Sequence, residues 1–265
     1  MSKRKRFFIT SITLSLGFIA IQLISTSRDG LFIENQFRFF TIGALGLLTL
    51  ILFAWSLREG LGKNLTLLAL VLPTLFTIGV GLFWFLLPTN VFARLPAVIF
   101  YGLGIYALCL TTNIYTVATI RTIALLRAAR GVGFVLTLVT SFLIFDTILS
   151  LKASIIITSI FSAFASFPLF LQGFWTIPLE RKISKDLIMM SVVASIIVGE
   201  VAVSLFFWPV TVVVGSLFLT VAAYILLGLG QAKLEARLFA QTVREYLFVG
   251  AFVFIGMFFA THWGG

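Results

Sequence analysis

Two acidic side chains lie inside apolar stretches of the sequence, where a charge is costly. Glu200 falls within "IIVGEVAVSLFFWPV", residues 196–210, and Asp146 lies near the end of another apolar run. An ionised side chain at the centre of a membrane-spanning helix costs roughly 2.5–3.5 kcal/mol on insertion scales, so such residues are either paired or functional. Either the two acids bind a proton or cation during transport, or each is a neutral carboxyl that hydrogen-bonds a neighbouring helix.

Other polar residues are predicted at a similar depth, in the outer half of the membrane. With the two acids they could line an outward-facing cavity, or they could form hydrogen bonds between helices. Beside Glu200, small residues repeat every four positions, which predicts a close helix–helix contact and favours the structural interpretation. The small residues are Ser191, Ser195 and Gly199, and the outer polar residues are Gln22, Tyr101 and Tyr106.

Residue types that commonly catalyse reactions are scarce. The chain has one histidine, His262, and one cysteine, Cys109, which excludes histidine-rich metal sites, bis-histidine haem and paired-cysteine sites. It also lacks an Asp-rich cluster for Mg²⁺-dependent transfer and a glycine-rich phosphate-binding loop. We therefore predict a protein that is not an enzyme and that binds no metal or cofactor. A lipid-modifying enzyme is the least favoured interpretation.

The composition identifies the elements that must position these residues. The chain has 265 residues, of which 60% are hydrophobic and 11% charged, and its mean hydropathy is +1.16. Apolar runs longer than the roughly 18 residues of a membrane-spanning helix recur throughout. We predict an all-α fold, a polytopic transmembrane helix bundle that forms one membrane domain over residues 1–265. About nine spans are expected, at 7–27, 37–57, 65–87, 95–120, 131–149, 153–175, 187–208, 210–230 and 246–262.

The basic residues predict the orientation of the chain. With nine spans and a cytoplasmic N-terminus, 15 of the 19 Lys and Arg residues fall on the cytoplasmic side and 4 fall outside. The positive-inside rule requires such an excess, so the C-terminus is expected outside. Anionic lipid headgroups then explain the net charge of +10 better than nucleic acid does. The short loops and the clear charge asymmetry favour the plasma membrane of a prokaryotic cell.

Two cytoplasmic connections carry a candidate basic face. In residues 120–133, good helix formers predict that the fourth span continues as a helix until Gly131 breaks it. In residues 231–246, one helix would place three basic residues within about 40° of one another, as a stripe that faces anionic headgroups or a protein partner. The basic residues of the two connections are Arg121, Arg127, Arg130, Lys233, Arg237 and Arg244.

These patterns favour an integral membrane protein that serves as a structural, assembly or partner-binding subunit. The alternative is a small-solute or proton-coupled transporter that uses Glu200 and Asp146. No motif in the sequence identifies a substrate or a partner.

Overall fold

Helices make up almost all of the described structure. The computed structural model describes residues 3–26, 34–57, 67–88, 91–118, 124–180 and 182–261; within them the chain is 86% helical and has no strand. The all-α fold predicted from the composition is confirmed. The helices are α1 (Lys3–Thr26), α2 (Glu34–Ser56), α3 (Val71–Trp84), α4 (Val91–Ala118), α5 (Leu126–Ser150), α6 (Ile155–Trp175), α7 (Lys185–Phe206), α8 (Val212–Leu234) and α9 (Ala240–Ala260).

Eight helices among the described residues are long and apolar enough to cross a membrane. They are α2 to α9, with α3 extended by the 3-10 helix Leu67–Leu70 that precedes it. These helices coincide with the second to ninth predicted spans. Helix α1, with 24 residues, coincides with the first predicted span. Its passage through the membrane and the orientation of the termini stay predictions.

One helix boundary differs from the prediction at residues 120–133. Helix α4 is described as far as Ala118, and a turn at residues 124–125 precedes the start of α5 at Leu126, so one helix does not run to Gly131. Helix α5 passes through both Gly131 and Gly133 without a break. The helix formers in this segment therefore begin α5. The Tyr115 hydroxyl lies against Gly133, where a Cβ would collide with it, and donates a hydrogen bond to the carbonyl oxygen of Ala129 at 3.0 Å.

The single helix predicted over residues 231–246 is also wrong, because α8 ends and α9 begins within that range. Ala236 adopts the left-handed conformation with φ 56°. The N–H of Arg237 donates to the carbonyl oxygen of Ala232 at 2.8 Å, and the N–H of Ala236 donates to that of Lys233 at 3.1 Å. This is the Schellman pattern that terminates helices. The backbone therefore reverses direction where the sequence predicted a continuous basic stripe.

The described helices form two compact units, which comprise residues 1–136 and 137–265 and divide within α5. The single membrane domain stays a prediction. In the first unit, α1 packs on α2 and α4, and α3 packs on the same two helices, so the four helices close a ring. In its core, the Tyr101 ring stacks on Phe18 with centroids 4.9 Å apart and on Phe76 at 6.1 Å.

In the second unit, α7 packs on α6 and α8, α6 packs on α8, and α9 packs on α8. The most extensive contact joins α6 and α7. A Cβ added at Gly199 would lie 3.1 Å from the Cβ of Ala163, and the Ser159 hydroxyl donates to the Gly199 carbonyl oxygen at 3.0 Å. The close helix contact predicted from the small-residue row therefore occurs at Gly199, between α7 and α6.

Tight turns connect two helix pairs in this unit. Four residues separate α5 from α6, and Lys152 in this turn has φ 45°. Five residues separate α7 from α8, and the Thr211 hydroxyl caps α8 by accepting a hydrogen bond from the N–H of Val214. Consecutive helices joined so closely must be antiparallel, as the sequence predicted.

Candidate functional site

Asp146 forms a hydrogen bond between two helices. Its side chain is 5% exposed, and its Oδ1 accepts a hydrogen bond at 3.1 Å from the Ser216 hydroxyl on α8. The same hydroxyl lies 2.9 Å from the carbonyl oxygen of Val213, which offers it a second acceptor. Gly215 permits the approach, since a Cβ there would lie 3.1 Å from the Leu149 side chain on α5. The arrangement is the interhelical hydrogen bond that the sequence allowed for an intramembrane acid.

Glu200 is placed differently. It lies six residues before the end of α7, about 9 Å along the helix axis. Its side chain is exposed, and it makes no hydrogen bond or ion pair with any described residue. Its backbone carbonyl oxygen accepts a hydrogen bond from the Ser204 hydroxyl at 3.1 Å. Glu200 and Asp146 both belong to the second unit, but their side chains make no hydrogen bond with each other.

The exposed face of α7 carries apolar residues at alternating spacings of four and three, with Glu200 among them. At 100° per residue these positions lie within about 40° of one direction, and they extend about 27 Å along the helix. Met189 is 69% exposed, Ile196 is 52% exposed, and Phe207 is 77% exposed. We name this row the α7 seam; its members are Met189, Val193, Ile196 and Glu200, the half-buried Val203, and Phe207, which directly follows the helix. The spacing can be read from the sequence, but the exposure cannot.

The outer polar residues predicted with the acids belong to the first unit. Tyr101 is fully buried, and its hydroxyl lies 3.2 Å from the Thr77 hydroxyl, which also accepts a hydrogen bond from Thr49 at 3.1 Å. This network joins α2, α3 and α4. Tyr106 is half-buried on α4. Gln22 is part of α1, and its side chain lies outside the described residues.

The predicted basic residues occupy helix ends and connections. Arg127 is exposed and Arg130 half-buried at the start of α5. Lys233, at the end of α8, Arg237, in the following connection, and Arg244, near the start of α9, are exposed at one end of this helix pair. Arg237 is 3.8 Å from Glu235 in a solvent-exposed ion pair. Arg121 lies outside the described residues.

The described residues of the second unit line two cavities of several hundred Å³. One, of about 390 Å³, adjoins the turns before α6 and α8 and is lined in part by Lys152 and Thr211. The other, of about 630 Å³, lies between α7 and α8 where α7 begins and α8 ends, and we name it the α7–α8 groove. Neither cavity is lined by Asp146 or Glu200. The groove is lined by Phe174, Asp186, Met189, Met190, Val193, Ala194, Ile197, Leu226, Gly230, Lys233 and Leu234.

The groove was not predicted from the sequence, although the sequence shows the two charged residues at its mouth. Asp186 and Lys233 are near opposite ends of consecutive apolar runs, so antiparallel packing of α7 and α8 brings both charges to one end of the pair. Among the described residues, no cluster of three or more His, Cys, Asp or Glu side chains could hold a metal ion.

Comparison with known proteins identifies the family of this chain. No curated protein and no solved structure matches the chain. The match to a family model covers residues 19–260, and the described part of this range contains the eight apolar helices of a multi-pass membrane protein. The chain belongs to the family described as protein of unknown function, DUF5656.

Proposed function

We propose that this protein is a non-enzymatic assembly subunit of a membrane complex, and that it associates with a second copy of itself through the α7 seam. The observation that carries the proposal is Glu200, an exposed acid within an otherwise apolar face of a membrane-spanning helix. Left against lipid, an acid inside a span is unfavourable, by up to roughly 2.5–3.5 kcal/mol at the helix centre and by less toward the helix end. A contact that covers Glu200 and offers it a hydrogen bond removes that penalty.

A second copy supplies such a contact by symmetry. Two copies inserted with the same orientation are related by a twofold axis normal to the membrane, so their α7 helices run parallel and each seam residue meets its counterpart. Glu200 then faces Glu200 of the other copy, where one protonated carboxyl donates a hydrogen bond to the other. The alternating spacing of the α7 seam is the pattern of helices that pack along a coiled-coil interface, where one polar position fixes the register.

The location and orientation that we propose are those predicted from the sequence. We propose that the protein lies in the plasma membrane of a prokaryotic cell, with its N-terminus in the cytoplasm and its C-terminus outside. The basic residues at the α8–α9 end then face anionic headgroups, which attract juxtamembrane Lys and Arg by about 1 kcal/mol each. A cytoplasmic protein partner at this end stays a prediction, as does transport by Glu200 and Asp146.

Cysteine cross-linking of the full-length protein tests the seam. Cys109 is buried and is replaced by Ala to remove background reactivity. In that protein, Ile196→Cys introduces a thiol in the α7 seam, and Ile188→Cys introduces one about 80° away on the same helix. Both isoleucines are exposed, at 52% and 41%. We expect mild oxidation in native membranes to cross-link Ile196→Cys into a dimer and to leave Ile188→Cys monomeric.

The role of Glu200 is tested by two substitutions measured in the same cross-linking background. Glu200→Gln keeps a group that both donates and accepts hydrogen bonds, so the dimer should persist. Glu200→Leu removes the interhelical hydrogen bonds, each worth roughly 0.6–2 kcal/mol, so dimerisation should weaken about threefold to thirtyfold. Glu245 is another exposed acid, near the start of α9 and outside the α7 seam, so Glu245→Leu serves as the matched control. Equal cross-linking at positions 188 and 196, or an unaltered dimer in Glu200→Leu, would refute the proposal.

A further inference from the structure

The mouth of the α7–α8 groove carries two opposite charges. Asp186 lies in the first turn of α7 and Lys233 in the last turn of α8, and both side chains are exposed. Neither side chain has an ion-pair partner among the described residues. A carboxylate and an ammonium group therefore border one opening and are both free to bind a ligand of complementary charge.

The interior of the groove is apolar and long. From Asp186 to Ile197 the lining follows α7 for about 16 Å, at 1.5 Å per residue. Met190 and Ala194 lie between them on the same side of the helix. Phe174 closes the groove from α6, and its ring lies against Gly230, where a Cβ would collide with it. The volume of about 630 Å³ is within the usual range of ligand pockets, roughly 300–1,000 Å³.

The charged end of the groove lies where α7 begins and α8 ends, and both helices are long and apolar enough to cross a membrane. We therefore infer that the groove opens at the boundary between headgroups and hydrocarbon. A ligand that fits must therefore be amphipathic, with an apolar tail along α7. Its head must satisfy a cation and an anion at once. An anionic headgroup would meet Lys233 but would be repelled by Asp186. A zwitterionic headgroup matches both.

We propose that the α7–α8 groove binds one phospholipid with a primary-amine zwitterionic headgroup, as in phosphatidylethanolamine. The phosphate pairs with the Lys233 ammonium group, the lipid ammonium group donates hydrogen bonds to the Asp186 carboxylate, and one acyl chain lies along Met190, Ala194 and Ile197. A quaternary ammonium head has no N–H to donate, so phosphatidylcholine should bind more weakly. Phosphatidylcholine lacks these charge-assisted hydrogen bonds, which are about twice as strong as neutral ones. The difference in affinity between the two lipids should therefore be measurable.

Binding is measured by native mass spectrometry of the full-length protein after delipidation in detergent. Phosphatidylethanolamine, phosphatidylcholine and phosphatidylglycerol with identical acyl chains are titrated separately. We expect phosphatidylethanolamine to bind at least fivefold more tightly than either of the others. Lys233→Gln should weaken its binding about fivefold, the factor for one basic residue near an anionic group. Asp186→Asn keeps an oxygen acceptor but removes the negative charge, so it should reduce the preference over phosphatidylcholine.

Matched controls separate this site from general attraction to lipid. Lys185→Gln removes an exposed cation at the same helix end that does not line the groove, and Glu180→Gln removes an exposed acid nearby. Both should bind as the unaltered protein does. Ile197→Trp fills the groove without changing its charges and should abolish the tight site. Each variant is first compared with the unaltered protein by size-exclusion chromatography, and only variants with the same elution profile are titrated.

The lipid proposal would be overturned by equal affinity for the three lipids, or by losses in Lys233→Gln and Asp186→Asn no larger than those of their controls. It does not depend on self-association, although Met189 and Val193 belong to both surfaces. Glu200→Leu should bind phosphatidylethanolamine normally even where it fails to dimerise.

Discussion

Replacing Ser216 by Ala removes the hydroxyl that donates to the buried carboxyl of Asp146. That carboxyl is 5% exposed and has no other hydrogen-bond partner among the described residues. Replacing Asp146 by Ala is a different perturbation, because the Ser216 hydroxyl keeps an acceptor 2.9 Å away in the Val213 carbonyl oxygen. The two halves of one hydrogen bond should therefore make unequal contributions to stability.

The expected changes in the free energy of unfolding follow from this asymmetry. A buried polar group left without a partner costs about 1–3 kcal/mol, and interhelical hydrogen bonds in membrane proteins contribute up to about 1.7 kcal/mol. We expect Ser216→Ala to lower the free energy of unfolding by about 1–2 kcal/mol. Asp146→Ala removes a buried carboxyl and leaves a small cavity, so its effect should be within about 1 kcal/mol of zero. The double variant should resemble Asp146→Ala alone.

The free energy of unfolding is measured by titration with sodium dodecyl sulfate in mixed micelles, for both single variants, the double variant and the unaltered chain. A double-mutant cycle then isolates the coupling between the two residues. A loss in Asp146→Ala that exceeds the loss in Ser216→Ala would refute this reasoning. Additive effects of the two substitutions would refute it as well.

Three further predictions concern stability measured in the same titration. Ala236→Gly should raise the free energy of unfolding by about 0.5–1 kcal/mol, because a left-handed φ of 56° is unfavourable for alanine and ordinary for glycine; no gain would contradict this. Gly199→Val should lower it by about 1–3 kcal/mol, since the α6 backbone lies 3.3 Å from the added Cβ, whereas Gly256→Val, with nothing within 4 Å, should be close to neutral. Thr77→Val should lower it by about 1–2 kcal/mol by breaking the network with Tyr101, and Tyr101→Phe should add little to that loss; fully additive losses would argue against the network.

The positions of the helices could be predicted from the sequence because each apolar run is long enough to span a membrane. The break at Ala236 could not be predicted in the same way. No proline or glycine marks it, and the left-handed conformation falls on an alanine. The start of α5 was missed for a related reason, since Gly131 suggested a helix end but has open space around it within the helix.

Apolar patterning predicted the depth of the two intramembrane acids but not the direction of their side chains. Their depth follows from the distance to the nearest turn, which sequence gives directly. The direction in which each side chain points depends on packing, and α7 has apolar residues on all sides. Gly199 precedes Glu200 by one residue, which is 100° around the helix, so the small residues turn toward α6 while Glu200 turns outward. Asp146 instead points toward Ser216.

The short turns of the second unit have a mechanical consequence. Only five residues join α7 to α8, and four join α5 to α6, so neither helix of a pair has enough free chain to shift along the membrane normal alone. A change in bilayer thickness acts on apolar spans by tilting them. Because α7 and α8 are fixed at this turn, a thinner or thicker bilayer should tilt the two helices together, and Glu200 should keep its depth relative to α8 in membranes of different lipid composition.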